Sequence, residues 1–167
     1  MALNAYLRMK AVKSGDIKGS CTEKGRKGRI LVYAAAHEIL SPRDPASGLP
    51  TGKRQHRPFA IVKEIDSASP VLYQLLTTNE LITEWELQFW GPSLKAGAGA
   101  GSAVQRYTVT LTNAAISDIR FTMPNNRDRD LAKCPEYEEV SFTYHNIAWT
   151  WTDGGITSMD DWMDDGA

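Results

Sequence analysis

Ile82-Thr83-Glu84-Trp85-Glu86-Leu87-Gln88-Phe89-Trp90 decides the class of this fold. Trp85, Leu87 and Phe89 fall on one side of an extended chain, and Glu84, Glu86 and Gln88 on the other. That is the period-two signature of a half-buried strand. Downstream, 104–112 repeats it, with Tyr107, Val109 and Leu111 opposed to Arg106, Thr108, Thr110 and Thr112. Upstream, 58–65 sets Phe59, Ile61 and Ile65 on one face, and Ile30-Leu31-Val32-Tyr33 opens an apolar run that passes into alanines. Read this way, the chain is mainly β.

Two more strands change phase midway. In 114–123, Ile116 is even but Ile119, Phe121 and Met123 are odd; in 137–151, Val140, Phe142 and Tyr144 are even but Ile147, Trp149 and Trp151 are odd. A one-residue slip moves later side chains to the opposite face unless a bulge absorbs it. The pattern therefore predicts bulges or sharp bends near Ser117-Asp118 and His145-Asn146, and bent strands let a sheet curl into a barrel. One helix is expected, over about 69–79. Ser69 suits the N-cap, Pro70 the first helical position, and Val71, Leu72, Leu75 and Leu76 recur at helical spacing. So short a helix needs its apolar stripe docked on the barrel.

The 167 residues and 18.5 kDa fit a single domain, 1–167. At 42% hydrophobic and 23% charged residues the composition is that of a globular protein, not a disordered or disulfide-stapled one. The net charge of −1 hides an asymmetry. Residues 1–57 carry 12 Lys and Arg against 4 Asp and Glu, and residues 58–167 carry 7 against 16. A uniformly basic nucleic-acid binder does not look like this. Cys21 and Cys134 lack zinc-site spacing and read as reduced, small half-buried residues. No apolar run approaches the ~18 residues of a membrane helix. Residues 1–10 lack the apolar core of a secretory signal, so synthesis and folding in the cytoplasm are expected.

Leu40–Arg57 holds three prolines and two glycines and shows no periodicity. Loops beyond ~12–15 residues are uncommon in compact domains and are usually functional or disordered. The expectation is a long extended loop, mobile in the free subunit and ordered against a partner. The acidic segment 153–167 carries Asp153, Asp160, Asp161, Asp164 and Asp165 with Trp162 among them. It reads either as a solvated tail or as a contact segment for a basic partner surface, with Asp160, Asp161 and Trp162 as its anchor.

Catalytic and cofactor patterns are missing. His37, His56 and His145 have no second ligand at i+2 to i+4 and read as neutral structural histidines. Lys95-Ala-Gly-Ala-Gly-Ala-Gly-Ser102 is glycine-rich, but its Lys precedes the glycines and a strand follows, so it reads as a flexible hairpin connection. No nucleophile, base and oxyanion donor assemble, and no metal or cofactor is called for. The basic run Lys24, Arg26, Lys27 and Arg29 has no aromatic interleaved with it and reads as a charged turn.

Five stretches carry a resemblance: Ser41–Phe59 with its Pro-Arg-Asp-Pro and Thr-Gly-Lys-Arg segments, Lys63–Tyr73, Tyr107–Ile116, Glu138–Tyr144 followed by Ile147-Ala-Trp149, and Asp153–Trp162. In this order they resemble the haemolysin-coregulated protein family, Hcp, of type VI secretion systems, over nearly the whole chain. The resemblance implies two antiparallel sheets closing into a small β-barrel with one flanking helix. It implies a structural tube subunit, not an enzyme: six-membered rings stacked head to tail inside a contractile sheath, capped by the VgrG spike, with effectors in the lumen. It implies export from a Gram-negative cell without a signal peptide, and neither nucleic acid nor membrane insertion. In the family the long loop reaches the neighbouring ring. That makes Arg43, Asp44, Lys53, Arg54, His56 and Arg57 the expected stacking residues here, aimed at an acidic surface of the next ring.

Two rivals stand beside this. A small-molecule-binding barrel needs a cavity, whereas Trp85, Phe89, Tyr107, Phe121, Phe142 and Trp149 are bulky enough to fill the barrel. A hydrolase lacks its residues.

Overall fold

Ala5–Ala11, a stretch the periodicity argument passes over, forms the best-buried strand of the molecule. Ala5, Tyr6, Leu7, Met9 and Ala11 along it are all buried. The computed structural model describes residues 4–92 and 103–164; the glycine-rich connection at 95–102 lies outside them. Around this strand, β1, a seven-stranded antiparallel sheet runs in the order β13-β12-β9-β8-β1-β2, with β3 also on β1. Its other members are β2 (Gly15–Ile17), β3 (Ile30–Val32), β8 (Ile82–Pro92), β9 (Ala103–Thr112), β12 (Asn146–Trp151) and β13 (Ile156–Asp161). A second antiparallel sheet has the order β10-β11-β7-β4, formed by β10 (Ala115–Thr122), β11 (Tyr137–Thr143), β7 (Phe59–Glu64) and β4 (Ala34–Ala36).

The two sheets are joined at corners where the chain leaves one for the other. β3 becomes β4 at Tyr33, whose N–H donates to the Val62 carbonyl at 2.9 Å. β9 turns into β10 through Asn113 at φ 50, and Ile82 and Ala114 exchange backbone bonds of 2.8 and 3.1 Å across the seam. β11 becomes β12 across Tyr144-His145. Both predicted phase changes are here. The β10–β11 register shifts between Ile116 and Asp118, leaving Ser117 as the bulged residue, and the break at 144–145 is a corner.

Inside, Trp85 is fully buried and edge-on to Phe59 (5.1 Å) and Phe142 (5.4 Å), so the barrel centre is filled by rings. Phe121 does not contribute. It is 53% exposed near the far end of edge strand β10, which has no further partner there among the described residues. Phe89, Tyr107 and Trp149 are half-buried and line an open groove of about 620 Å³ between the sheets. Ile65 also leaves the predicted face, because β7 ends at Glu64; the inward position on that strand belongs to Lys63.

Helix α1 (Ser69–Thr77) buries Leu72 and Leu75 against the core, and Asn79 ends it in the left-handed conformation at φ 49. Its N-cap is Ala68, not Ser69. The Asp66 carboxylate takes the Ala68 N–H at 2.9 Å, which frees the Ser69 hydroxyl to donate to Glu138 at 2.8 Å.

The segment 40–57 is a long β-hairpin. Its stem is β5 (Ile39–Leu40) paired with β6 (Gln55–His56), and Arg43 bridges Pro50 further out. At the tip, the Asp44 carboxylate accepts the N–H groups of Ala46 and Ser47 and the Ser47 hydroxyl, and Gly48 turns the chain at φ +72. Composition hid this pairing, because prolines and glycines mark turns without saying that the two arms of one turn meet.

Candidate functional site

The hairpin stem and the C-terminal strand meet at one cluster of polar and aromatic side chains. Strand β6 carries His56 inward, with Arg54 just before it; β13 carries Asp160; the corner between β11 and β12 supplies Tyr144; the chain between β4 and β5 supplies His37. Arg54 donates to Asp160 through Nε and Nη2, both at 2.6 Å, a two-pronged guanidinium–carboxylate pair. His56 Nε2 lies 2.9 Å from the same carboxylate, and its Nδ1 lies 2.8 Å from the Tyr144 hydroxyl. That hydroxyl is 2.6 Å from His37 Nε2. Trp162 stacks on His56 at 5.6 Å and stands edge-on to Tyr144 at 4.9 Å, while its backbone N–H donates to the His145 carbonyl at 2.7 Å. Beside it the Asn146 amide donates to Asp161 at 2.7 Å, and Lys53 Nζ reaches the Met163 carbonyl at 3.0 Å.

The electrostatics follow from these contacts. The Arg54 guanidinium, and then the His56 ring, hold the Asp160 carboxyl below the usual carboxylate range against the opposing effect of burial. Burial pushes the Tyr144 hydroxyl up, and the Asp160 charge adds to it. Burial lowers His37, and nearby His56 lowers it further. With Asp160 ionised, His56 Nε2 carries a proton and donates. In that tautomer His56 accepts at Nδ1 from Tyr144, and Tyr144 accepts from His37 Nε2–H. The chain of bonds runs in a single direction from His37 to Asp160.

Of the expected stacking residues, Arg54 and His56 turn onto Asp160 of β13 in their own chain, with Trp162 stacked on His56, and Lys53 reaches the Met163 carbonyl just past that strand. Arg43 and Asp44 sit at the hairpin tip, and Arg57 is exposed just past the stem. Segment 153–164 does not trail as a free tail: Ile156–Asp161 pairs along β12, with 153–159 exposed to solvent. Sequence reasoning missed His37, Tyr144 and Asn146. Tyr144 lies 107 residues from His37 and 88 from His56, so no local spacing marks them.

The basic run has a structural role of its own. Arg26 lies between the rings of Tyr6 and Trp90, 4.8 and 4.6 Å from their centroids, and pairs with Glu23 at 3.1 Å. The aromatics absent along the run arrive from other strands. Among the described residues no group of His, Cys, Asp and Glu is arranged to hold a metal ion.

The family model described as "Type VI secretion system effector, Hcp" matches residues 6–151. The "Major exported protein" of Pseudomonas aeruginosa is 37% identical over 97% of this chain and 96% of its own length. The fold matches that of a doubly substituted Hcp1 from the enteroaggregative E. coli 042 pathovar, with TM-score 0.82 and 33% identity over 96% of this chain and 99% of that one. It also matches the secreted Hcp3 of Pseudomonas aeruginosa, with TM-score 0.77 and 29% identity over 98% and 100%.

Proposed function

The chain belongs to the Hcp family of type VI secretion proteins, and from that premise we propose how its edges and its hairpin build the assembly. It is a structural tube protein of a type VI secretion system, from a family whose members are exported. Six copies close into a ring and rings stack head to tail into a tube. The tube sits inside a contractile sheath behind a VgrG spike and carries effectors in its lumen. Subunits fold and assemble in the cytoplasm and leave through the system itself. The role is mechanical, with no catalysis.

One observation supports this most directly. The four-stranded sheet ends in β10 on one side and β4 on the other, and neither has a further partner among the described residues. An open edge is a row of unpaired N–H and C=O groups that invites another strand. Setting β10 of one copy beside β4 of the next uses two different patches, the head-to-tail kind of contact that closes into a ring. β4 is three alanines, all exposed, so no bulky side chain bars the approach. Between rings, the hairpin tip with Arg43 and Asp44, together with Arg57, makes the contact. Single exposed ion pairs give only about 0–1 kcal/mol, so sixfold repetition supplies the hold and leaves the tube able to come apart.

Native mass spectrometry is expected to give six copies of the 18.5 kDa chain, and electron microscopy an annulus in projection. A monomer at every concentration and salt overturns the reading. Arg43→Glu is expected to leave the ring intact and remove the filaments; loss of the ring itself moves Arg43 to the lateral contact.

A further inference from the structure

The hairpin that projects from the barrel is held at its base by the last strand of the same chain. Its own stem is short: β5 and β6 pair over two residues each. A two-stranded ribbon of that length is marginal in water. What it has besides is the cluster on β13. Arg54 and His56 both end on Asp160. Trp162 covers His56, and the His56 side chain is fully buried while its arm continues into solvent.

We propose that the C-terminal segment Asp160–Trp162 is a strap that sets the direction in which the hairpin projects, and that the His37–Tyr144–His56 relay makes the strap sensitive to protons. Asp160 and Trp162 are then positioning residues, which act on assembly through the hairpin. The part that concerns stacking rests on the tube reading above; the strap itself does not.

Proton sensitivity follows from where the relay begins. It has one donor for each acceptor: His37 to Tyr144, Tyr144 to His56, His56 to Asp160. A proton taken up by His37 puts a charge on a half-buried ring stacked on Phe59 at 5.2 Å and close to His56, which burial opposes. A proton on Asp160 removes the charge that holds Arg54 and His56. The charged and titratable groups facing the relay are Arg54 and Lys53 from the hairpin, Asp160 and Asp161 from β13, Asp164 beyond it at 3.7 Å from Arg54, and Tyr144 from the corner. His37 and Asp160 are both lowered in the folded state. Each therefore contributes stability that is present above its ordinary value and is lost as pH falls through its folded value. Acid loosens the strap.

The test is hydrogen exchange on the assembled full-length protein, read as protection factors for amides 43–56 so that the intrinsic pH dependence drops out. For Asp160→Asn and Trp162→Ala we expect at least a tenfold loss of protection at pH 7.5, with rings intact by native mass spectrometry and filaments shortened or absent. Wild type is expected to show the same loss only on acidification below pH ~6, near the ordinary histidine value. His37→Gln, which keeps a donor toward Tyr144 but cannot take up a proton, is expected to retain more protection there. Should Asp160→Asn fail to fold, Arg54→Gln opens the clasp from the hairpin side. Unchanged protection in folded Asp160→Asn, Trp162→Ala and Arg54→Gln overturns the strap, even if the tubes are normal. Loss of protection in a chain that never forms rings upholds the strap and overturns the tube reading instead.

Discussion

Lys63 shows how much one buried ammonium organises. Its Nζ lies 2.7 Å from Glu138, 2.9 Å from Asp66, 3.0 Å from the Ser69 hydroxyl and 2.8 Å from the Glu64 carbonyl, with no solvent exposure. Those contacts tie β7, β11 and the start of α1 to one atom. The second oxygen of Glu138 is buried without a partner, so little margin remains if the cation goes. Lys63→Met is expected to destabilise the subunit by about 3–5 kcal/mol, because it strands a buried carboxylate. Lys63→Met combined with Glu138→Leu is expected to recover most of that loss. Urea denaturation at one fixed protein concentration measures both; equal losses in the single and double variants refute the account. The pair was legible in principle. Lys63 is in phase with inward Phe59 and Ile61, and Glu138 with inward Val140 and Phe142, so two opposite charges both fall on core faces. Reading charges as outward by default conceals it.

At the scale of elements, the turn at 18–29 depends on two backbones touching. A Cβ at Gly19 would sit 2.5 Å from the Arg29 carbonyl oxygen and 2.7 Å from the Ile30 Cα, both backbone atoms that cannot swing aside. Gly19→Ala must push the turn off β3. The turn is pinned at its other side by Arg26 between Tyr6 and Trp90, so the shift also opens that stack. The expected cost is about 1–3 kcal/mol, the range of an overpacked site, seen as a lower thermal midpoint and faster exchange at 20–29. A midpoint equal to wild type would show that the turn relocates freely. The strands were legible wherever one face is buried and the other wet, as in 82–90 and 104–112. The bulge at Ser117 and the corner at 144–145 were legible because each breaks that alternation. β1 was not: Ala5, Tyr6 and Leu7 are all buried in succession, so the signal has no period to find. β13 was not either, since Ile156–Met159 is exposed on both faces and only its pairing with β12 makes it a strand.

For the whole molecule, the family and the barrel could be read from the chain, while the meeting of its two charged halves could be read only in part. The excess of positive charge before residue 58 and of negative charge after it points to mutual attraction. Sequence reasoning sent that attraction outward to a neighbour. Folding spends some of it at home, where Arg54 takes Asp160. No one-dimensional pattern distinguishes the two cases, because the partners are 106 residues apart and meet through strand order.

Edges β10 and β4 carry a genetic consequence. A copy that offers one good flank and one spoiled flank is worse than no copy, for it joins a growing circle and stops it. Proline at Ala35 or at Ala36 makes such a copy, since neighbouring residues point their N–H groups oppositely and one of the two loses an outward donor. Co-expressed in equal amounts with the normal chain, it would leave only about one six-membered circle in sixty free of it, if copies mix at random. Secretion measured across a series of such ratios should then collapse far more steeply than the dose of the defective allele. A decline merely in proportion to dose would mean that the circle does not close through these flanks.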